Sequence, residues 1–467
     1  MKCLVLFLIF LPVAVYSQTL DEAKKLYAEG NYANALPAFE SACKSSPKNA
    51  SYNQWYGNCL LETGNRQAAA KYLNYAASKE IIEAYRSLGK LHYLNYDFEA
   101  SAQAYETYLQ LLEKNKKTTG TEDINQLLDR SKRAARLISH CENIQIIDSV
   151  IVDKKDFLKT YLISREAGRL EYADNRTTYI NPLNDKRYFA EKNTSGYYRL
   201  YTEIKIQEAW SERKPLTLPS DSAGNDNYPF VLQDGLTVYY ASTGNGSIGG
   251  YDLFVTRYNS GNDTYLAPSQ MGMPFNSIAN DYLMVIDENN AIGYFATDRF
   301  QAEGRVVVYT FIPNEAITPI ESDDKAEQIS RAKITAIRDT WKKDMNYSAY
   351  IHNVRTNIKN EQTKVKRDFF FVVNDNIIYY TLNDFKNTAA KQAFLKAQNL
   401  EQEAKKAETD LENLRRNYLT GNAQSRKSLQ ETILRREQQL PEQWVACNEA
   451  MTNARNLEIR YLRQQQQ

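Results

Sequence analysis

Two stretches of the sequence repeat one pattern, and this repetition predicts the fold of the middle of the chain. The first, residues 228–242, reads YPFVLQDGLTVYYAS, and GYDLFVT follows at 250–256 after a glycine-rich segment. The second, residues 282–297, reads YLMVIDENNAIGYFAT, and GRVVVYT follows at 304–310. Each copy contains three short runs rich in β-branched and aromatic residues, separated by Asp, Gly and Asn. This arrangement predicts antiparallel strands joined by hairpins.

A weaker third copy lies upstream, at residues 188–203. Aligned on Ala190, Ala241 and Ala296, the copies recur after about 51 and about 55 residues. A period of this length, with three or four strands in each copy, is typical of β-propeller blades. We therefore predict WD40-like β-propeller blades over residues 153–313.

Alternating apolar positions open this region, at residues 157–164 and 168–172. They predict either a partial blade or the strand that begins the array. Three copies and one partial unit are fewer than the roughly six or seven blades of a common closed propeller. Either the propeller is small, or some blades are too degenerate to recognise.

A helical repeat is expected before the blades, over residues 18–147. Small residues at Ala23, Gly57 and Gly89 recur after about 34 and about 32 residues, and Leu or aromatic residues follow each at helical spacing. The pattern resembles the tetratricopeptide repeat, an α-solenoid of paired helices. The resemblance implies a concave surface that binds a peptide or another protein, with a purely structural spacer as the alternative.

The turns inside the helical pairs contain Gly30 and Gly64, whereas the third repeat has Asn95-Tyr96 at that position. The third repeat is therefore the most divergent. A further helical pattern, residues 124–147, predicts a helix that caps the stack.

Residues 1–17 have the pattern of a secretory signal peptide. Lys2 precedes an apolar run from Cys3 to Tyr16, and the expected cleavage site lies before Gln18. The run is shorter than the roughly 20 residues that a membrane span needs, and no later segment approaches that length. Because Cys3 lies at the start of the run and not at its end, it does not fit a lipoprotein cysteine. The mature protein is expected to be exported, and periplasmic or outer-membrane-associated.

The charge balance and the cysteines exclude several classes of function. Lys and Arg number 58 and Asp and Glu 57, so the net charge of +1 gives no reason to expect nucleic acid as a partner. The spacings of the cysteines and of the three histidines fit no zinc site. Cys43 and Cys59 fall on neighbouring predicted helices, so a disulfide and a pair of buried thiols both remain open.

The end of the chain returns to helices. Residues 314–386 predict a helix and a β-hairpin at Phe369–Tyr380, which either closes the propeller or packs on the helices. Residues 387–467 carry heptad-like apolar steps and predict three helices, broken at residues 420–422 and at Pro441. They form either an antiparallel helical hairpin or bundle, or a coiled coil with another chain.

No pattern in the sequence identifies a catalytic, cofactor-binding or metal-binding residue. The paired acids Asp287-Glu288 and Asp323-Asp324 fall in predicted turns or linkers, where solvated carboxylates are usual. The glycine-rich segment 244–250 connects strand to strand, which predicts a hairpin turn and not a phosphate-binding loop. Residues 220–226 lack the bidentate acid of a calcium loop. We therefore expect no enzyme activity and no cofactor.

Short phrases within the blades carry a second resemblance. GGYDLF at 249–254, GMPFNS at 272–277 and GYFATDR at 293–299 resemble the TolB-type, WD40-like propellers of exported envelope proteins. Helical repeats followed by such a propeller resemble PorE-like proteins, which are associated with the type IX secretion system. In that family a C-terminal OmpA-like domain binds peptidoglycan, and here helices stand in its place.

The resemblance implies a non-catalytic envelope scaffold that holds protein partners through the repeats and the propeller. Outer-membrane proteins are candidate partners. One alternative is a carrier or sensor that binds a glycan or peptide on the propeller face. Another is a hydrolase with its site in the propeller channel, because sequence alone cannot pair two distant acids.

Overall fold

The computed structural model describes residues 19–116, 119–173, 176–206, 209–219, 223–259, 261, 264–343, 345–363, 369–374 and 377–465. The expected signal peptide therefore lies outside the described residues. The chain divides into two compact units. The helical unit comprises Met1–Cys141 and Ile320–Lys333, and the sheet unit comprises Glu142–Pro319 and Ile334–Gln467.

Seven consecutive helices form most of the helical unit. Several begin at a residue whose side chain accepts a hydrogen bond from a backbone N–H of the first turn: Thr19, Asn49, Asn65 and Asp97. The predicted helical pairs are confirmed. The helices are α1 (Leu20–Ala28), α2 (Tyr32–Ser45), α3 (Ala50–Glu62), α4 (Arg66–Ala77), α5 (Ile82–Leu94), α6 (Phe98–Lys114) and α7 (Glu122–Ser139).

The turns within the three pairs share one backbone conformation. Gly30 and Gly64 have φ of 78° and 91°, and Tyr96 has φ of 68° at the same position of the third pair. A left-handed conformation is unusual for a residue with a large side chain. Tyr96 is only 1% exposed, and its ring packs on Phe98 and under the Lys333 ammonium. Burial of the ring thus compensates for the missing glycine.

Helix α7 ends at Ser139, so the predicted capping helix over residues 124–147 is too long. Residues 145–147 belong to a strand instead. The segment QIIDSVIVD is rich in β-branched residues, and Ile146 and Ile147 are buried on the sheet. Because this segment favours a strand, helix α7 ends before it.

The helical unit includes a helix from much later in the chain. Helix α8 (Lys325–Lys333) packs against α7, Lys325 pairs with Glu99, and Ala332 is fully buried. The backbone N–H of Ile320 donates to the carbonyl of Cys141 where this segment joins the unit. Helix α8 therefore belongs to the helical unit, where it contacts α7 and, through Lys325 and Lys333, the third pair. The predicted region 314–386 is accordingly divided between the two units.

Three antiparallel sheets form the centre of the sheet unit, as predicted. Sheet I has the order β2-β3-β4-β5-β6 with β7 beside β5, sheet II has the order β11-β10-β9-β8 with β12 beside β10, and sheet III has the order β1-β15-β14-β13. Closure into a full propeller stays a prediction. The strands are β1 (Gln145–Asp153), β2 (Arg169–Ala173), β3 (Arg176–Ile180), β4 (Lys186–Lys192), β5 (Tyr198–Ile206), β6 (Ala209–Trp210), β7 (Lys214–Pro215), β8 (Asp226–Val231), β9 (Thr237–Ser242), β10 (Asp252–Asn259), β11 (Thr264–Tyr265), β12 (Ser269–Gln270), β13 (Asp281–Asp287), β14 (Ile292–Thr297) and β15 (Arg305–Ile312).

The repeated sequence corresponds to a repeated structure. Asp226 pairs across the strands with Ser242 in sheet II, and Asp281 pairs with Thr297 in sheet III. Each first strand then has a register shift, after Asn227 in one sheet and after Asp281 in the other. The two copies thus share their register as well as their composition.

The strand that precedes the array completes its last sheet. Strand β1 pairs with β15 along its length. Residues 157–164, expected to alternate as a strand, include part of a 3-10 helix (Lys154–Thr160), and a second 3-10 helix follows (Arg165–Ala167). Phe157, Tyr161 and Ile163 are all buried in the core of the sheet unit. Their alternating spacing therefore reflects burial of an irregular segment and not a strand.

The predicted β-hairpin does not close the array. Its strands, β16 (Phe371–Asn374) and β17 (Ile377–Tyr379), pack with Phe385, Phe394 and Ala454 of the C-terminal region. Residues 375–376, the predicted turn, lie outside the described residues. Helix α9 (Tyr347–Thr363) and the preceding 3-10 helix (Ile337–Thr340) pack against β1 instead.

The C-terminal region is an antiparallel helical hairpin of α10 (Thr388–Thr420) and α11 (Ala423–Gln465). Three predicted helices become two, because α11 continues through Pro441, which is exposed. Buried Glu458 accepts hydrogen bonds from the Tyr379 hydroxyl and from the backbone N–H groups of Lys386 and Asn387. This carboxylate therefore joins β17 and the start of α10 to α11. None of the described helices combines the length and the apolar character required to cross a bilayer.

Candidate functional site

The first helices of successive pairs, α1, α3, α5 and α7, are linked by side chains. Gln54 Nε2 donates to the Tyr27 hydroxyl at 3.1 Å, and Ser87 Oγ donates to Asn58 Oδ1 at 2.7 Å. Two ion pairs continue the series. We call these residues the first-helix layer: Tyr27, Gln54, Asn58, Glu62, Arg86, Ser87, Lys90 and Asp123.

The first-helix layer combines buried polar side chains with exposed charged side chains. Gln54, Asn58 and Ser87 are buried and hydrogen-bonded, so they fix the spacing of the helices. Burial raises the pKa of Tyr27 to about 12, which keeps this hydroxyl protonated. Lys90 lies 2.7 Å from Glu62, and Arg86 lies 2.9 Å from Asp123, with all four side chains reaching solvent. Exposed pairs of this kind contribute little to stability and are free to exchange partners.

An aromatic group lies at the α1–α3 end of the layer. The half-buried Trp55 ring is 5.3 Å from Phe39 and 6.0 Å from Tyr52, and the Lys24 ammonium is 5.6 Å from its centroid. Tryptophan, tyrosine and arginine are the residues that most often dominate binding energy at protein interfaces. The layer therefore has the composition of a protein-binding surface.

The family model of the tetratricopeptide repeat matches residues 20–81. Helices α1–α4 are therefore similar to two tetratricopeptide repeats. No curated protein matches the chain. The third pair lies beyond the matched residues but has the same packing: a Cβ at Gly89 would meet the Tyr105 ring at 2.5 Å, as one at Gly57 would meet Leu73 at 2.9 Å.

These close approaches show why the repeat needs small residues at the helix crossings. Ser101 takes a further small position, where its hydroxyl donates to the carbonyl of Gly89 at 2.7 Å and lies 3.0 Å from Ser131 of α7. The tetratricopeptide-like geometry thus extends through α5 and α6 to α7.

A cavity of about 520 Å³ lies in the sheet unit, beside the 3-10 helix Lys154–Thr160. This volume is within the usual range of small-ligand pockets. Its walls combine aromatic rings with two lysines, and include Lys154, Lys155, Phe157, Tyr172, Thr177 and Tyr228.

Tyr228 lies at the centre of an aromatic cluster behind this cavity. Its ring centroid is 5.5 Å from Tyr282, 5.9 Å from Tyr251 and 6.1 Å from Phe157. The register shift in β8 directs Tyr228 here, and its backbone has a left-handed φ of 54°. Such a conformation is costly for an aromatic residue and is often found at binding sites.

A hydrogen-bonded chain leads away from the cavity. Lys154 Nζ donates to the Tyr282 hydroxyl at 2.8 Å, and that hydroxyl donates to Asp298 Oδ2 at 2.7 Å. Asn280 Nδ2 donates to the same carboxylate oxygen at 2.8 Å. Burial and the neighbouring Asp298 carboxylate raise the pKa of Tyr282 well above its ordinary value. The Tyr282 hydroxyl therefore remains a proton donor to Asp298.

A second polar network is buried between the repeated strands. Asp252 accepts hydrogen bonds from the backbone of Ile248 and Gly249 and from Gln270. Burial, together with the Asp281 carboxylate, raises the pKa of Asp252 to about 8. Asp281 itself lies 2.8 Å from Arg299, which is 1% exposed.

This network explains part of the GGYDLF and GYFATDR phrases. Their acid and arginine hold turns and strands together inside the sheet unit. Sequence reasoning noticed these phrases through a resemblance but did not identify the buried network.

The acids singled out in the sequence do not come together. Asp287 accepts from the backbone and hydroxyl of Ser164 at 2.7 and 2.9 Å, so it anchors the loop before β2. Asp323 and Asp324 precede α8 in the other unit. The glycine-rich segment 244–250 joins antiparallel β9 and β10, as expected of a hairpin turn.

The cysteine alternatives are settled in favour of buried thiols. Cys43 and Cys59 form no disulfide, and all four described cysteines, Cys43, Cys59, Cys141 and Cys447, are buried. Burial raises the pKa of Cys59 to about 12, so its thiol remains protonated. Among the residues that the structure describes, no three His, Cys, Asp or Glu side chains are grouped to hold a metal ion. Residues 220–222, part of the segment considered for calcium, lie outside that description.

Proposed function

We propose that this protein is a non-catalytic scaffold that holds a protein partner on the first-helix layer of its tetratricopeptide-like repeats. One observation carries the proposal: Trp55 and exposed charges lie along the first helices α1, α3, α5 and α7, of which α1 and α3 belong to the repeats that the family model matches. Repeat arrays use such continuous surfaces to bind extended segments of other proteins. The buried Gln54, Asn58 and Ser87 keep this surface in register.

A second part of the proposal concerns where in the cell the protein acts. We propose an exported protein, periplasmic or associated with the outer membrane, in an envelope assembly similar to the type IX secretion system. The pattern of residues 1–17 and the TolB-type phrases at 249–254 and 293–299 support this. Outer-membrane proteins are the candidate partners, and the net charge of +1 argues against nucleic acid.

The sheets contribute a second surface in this proposal, as blades of a small WD40-like propeller. The pairing of β1 with β15 supports it, since the first strand of the region completes the last sheet. Asp252 and Asp281 are buried and held by backbone N–H groups, Gln270 and Arg299. Their engagement favours a scaffold over a hydrolase that uses these acids.

Site-specific photo-crosslinking in the native envelope tests the proposal. A crosslinking residue is placed at position 86, in the first-helix layer, and for comparison at position 44, on the second helix of the first pair. A partner captured from position 86 and not from position 44 is expected. Equal capture from both positions, or none from position 86, contradicts binding on this layer.

A further inference from the structure

The cavity beside the 3-10 helix Lys154–Thr160 has an excess of positive charge. Asp153 also lines it, but its carboxylate lies 3.1 Å from Arg305 and is therefore paired. Lys154 and Lys155 are both exposed on the cavity side of the segment. The Lys154 ammonium contacts the hydroxyl and ring of Tyr282, which are uncharged, and is connected to the Asp298 carboxylate only through that hydroxyl. An anionic ligand would find two ammonium groups at this entrance.

Apart from Thr177 and the tyrosine hydroxyls, the rest of the cavity is apolar. Phe157, Leu158, Tyr172 and Tyr228 contribute rings and an aliphatic side chain, and Tyr172 is 57% exposed. An exposed tyrosine beside a cavity presents a flat surface on which an apolar group can stack. None of the described residues that line the cavity is Asn, Gln or Glu. Because saccharides need many hydrogen-bonding partners for their hydroxyls, this lining favours a ligand with an anionic end and an apolar body.

The position of Tyr228 is a second, independent observation. Its backbone is held at φ 54°, and its N–H donates to the Asn227 side chain at 2.8 Å within the register shift of β8. Strain of this kind persists only where the surrounding structure enforces it, and it often preorganises a site. Here it directs an aromatic ring into the cavity wall.

We propose that this cavity binds a carboxylate attached to an apolar or aromatic group. Lys154 and Lys155 take the carboxylate, and Phe157, Tyr172 and Tyr228 take the apolar part. The carboxyl end of a peptide chain and a small free acid share this chemistry. The site belongs to the sheet unit, so its failure would leave the partner-binding layer of the helical unit untouched.

Isothermal titration calorimetry of the full chain tests the proposal with defined probes. The probes are a pentapeptide of four alanines and a C-terminal phenylalanine, its C-terminal amide, N-acetylphenylalanine, and a uronic-acid oligosaccharide. We expect the free acid to bind at least about tenfold more tightly than the amide, and more weakly as salt rises. Tighter binding of the peptide than of N-acetylphenylalanine identifies a chain end, whereas equal binding identifies a small acid.

Substitutions locate the site. Lys154→Met and Lys155→Met are each expected to weaken binding of the free acid by about tenfold, and Tyr172→Ala by a similar factor. Lys155→Met tests the charge without removing the Tyr282 contact of Lys154. Lys159→Met, in the same 3-10 helix and 80% exposed, is the matched control and should bind as the parent protein does.

Any one of the following results would overturn the proposal. They are equal affinity for the acid and the amide, unchanged binding by the Lys155→Met and Tyr172→Ala proteins, and binding of the uronic-acid oligosaccharide alone. A lack of heat with either acid at millimolar concentration would do the same.

Discussion

Gly89 lies where α5 crosses α6, and no side chain fits there without displacement. A Cβ would be 2.5 Å from the ring of Tyr105, which is itself buried. Alanine favours a helix by about 1 kcal/mol over glycine, but the clash opposes this gain. The same reasoning applies to Gly57 against Leu73. The spacing of small residues in the sequence therefore already indicates where paired helices pack closely.

We therefore expect Gly89→Ala to lower the free energy of unfolding of the helical unit by about 1 to 3 kcal/mol. Gln110→Ala, at an exposed position of α6, serves as the control and should change it by less than about 0.5 kcal/mol. Urea denaturation followed by circular dichroism measures both. Stabilisation by Gly89→Ala would show that the Tyr105 ring moves aside easily.

The buried Asp252 is expected to make the stability of the protein depend on pH. Its pKa of about 8 in the folded protein lies far above that of an exposed aspartate, so folding takes up a proton between these values. Its contribution to stability is complete below about pH 4 and is lost as the pH rises toward 8. The slope reaches at most about 1.4 kcal/mol per pH unit.

Asp252→Asn should remove this contribution and flatten the fall in unfolding free energy between pH 4 and pH 8. Asp323→Asn, which replaces an exposed carboxylate, should leave the slope as it is. Denaturation at a series of pH values measures the slopes. Identical slopes for Asp252→Asn and the parent protein would mean that Asp252 remains ionised in the fold.

The buried polar network around Asp252 could not be predicted from the sequence. Asp252, Asp281 and Arg299 are separated by 29 and 18 positions, and turns ordinarily contain solvated acids. Only the register of the strands brings them together. Similarly, Tyr228 reads as an ordinary strand residue until the register shift in β8 is known.

At the scale of elements, α8 was predictable as a helix but not as a member of the helical unit. Its contacts with α7 join residues separated by nearly 200 positions, and no periodicity in the sequence connects them. The predicted end of the capping helix at residue 147 was wrong for a related reason. The apolar residues of a helix and of a buried strand look alike over a short stretch.

Ala332 provides a direct test of α8. It is fully buried, whereas Ala326 in the same helix is exposed. Ala332→Asp should destabilise the helical unit by about 3 kcal/mol, because a charge would be buried without a partner. Ala326→Asp should have an effect within about 0.5 kcal/mol.

Hydrogen exchange of the amides in α7 is the most direct measurement for this pair. Faster exchange in α7 is expected for Ala332→Asp alone. Unchanged α7 protection in that variant would indicate that the packing of α8 does not stabilise α7.

Pro441 lies inside α11, the second of the two long C-terminal helices. Proline removes one backbone hydrogen bond and crowds the preceding turn, and it costs about 3 kcal/mol in a helix interior. Because α11 continues through this exposed position, Pro441→Ala should stabilise the helical hairpin by about 1 to 3 kcal/mol. Thermal denaturation with hydrogen exchange in α11 measures it. A loss of stability would mean that the proline is needed for the packing of α10 on α11.

For the whole molecule, the order of elements was largely predictable: helical pairs, then antiparallel sheets, then long helices. The division into units was not. The chain passes from one unit to the other after Cys141, after Pro319 and after Lys333. The sheets are thus an insertion in the helical unit, and periodicity in the sequence carries no information on such a return. A dissection at residue 147 would remove part of β1 from the sheet unit.

The central claim is that the first-helix layer binds a protein partner, and paired charge reversals test it most directly. Arg86→Glu with Lys90→Glu alters the layer, and Lys44→Glu with Lys71→Glu makes the same change of charge on the second helices α2 and α4. Co-purification from the native envelope of the partner that crosslinking identifies is the measurement. Loss by at least about tenfold in the first variant, with full recovery in the second, is the expected result. Equal recovery from both variants would contradict the claim.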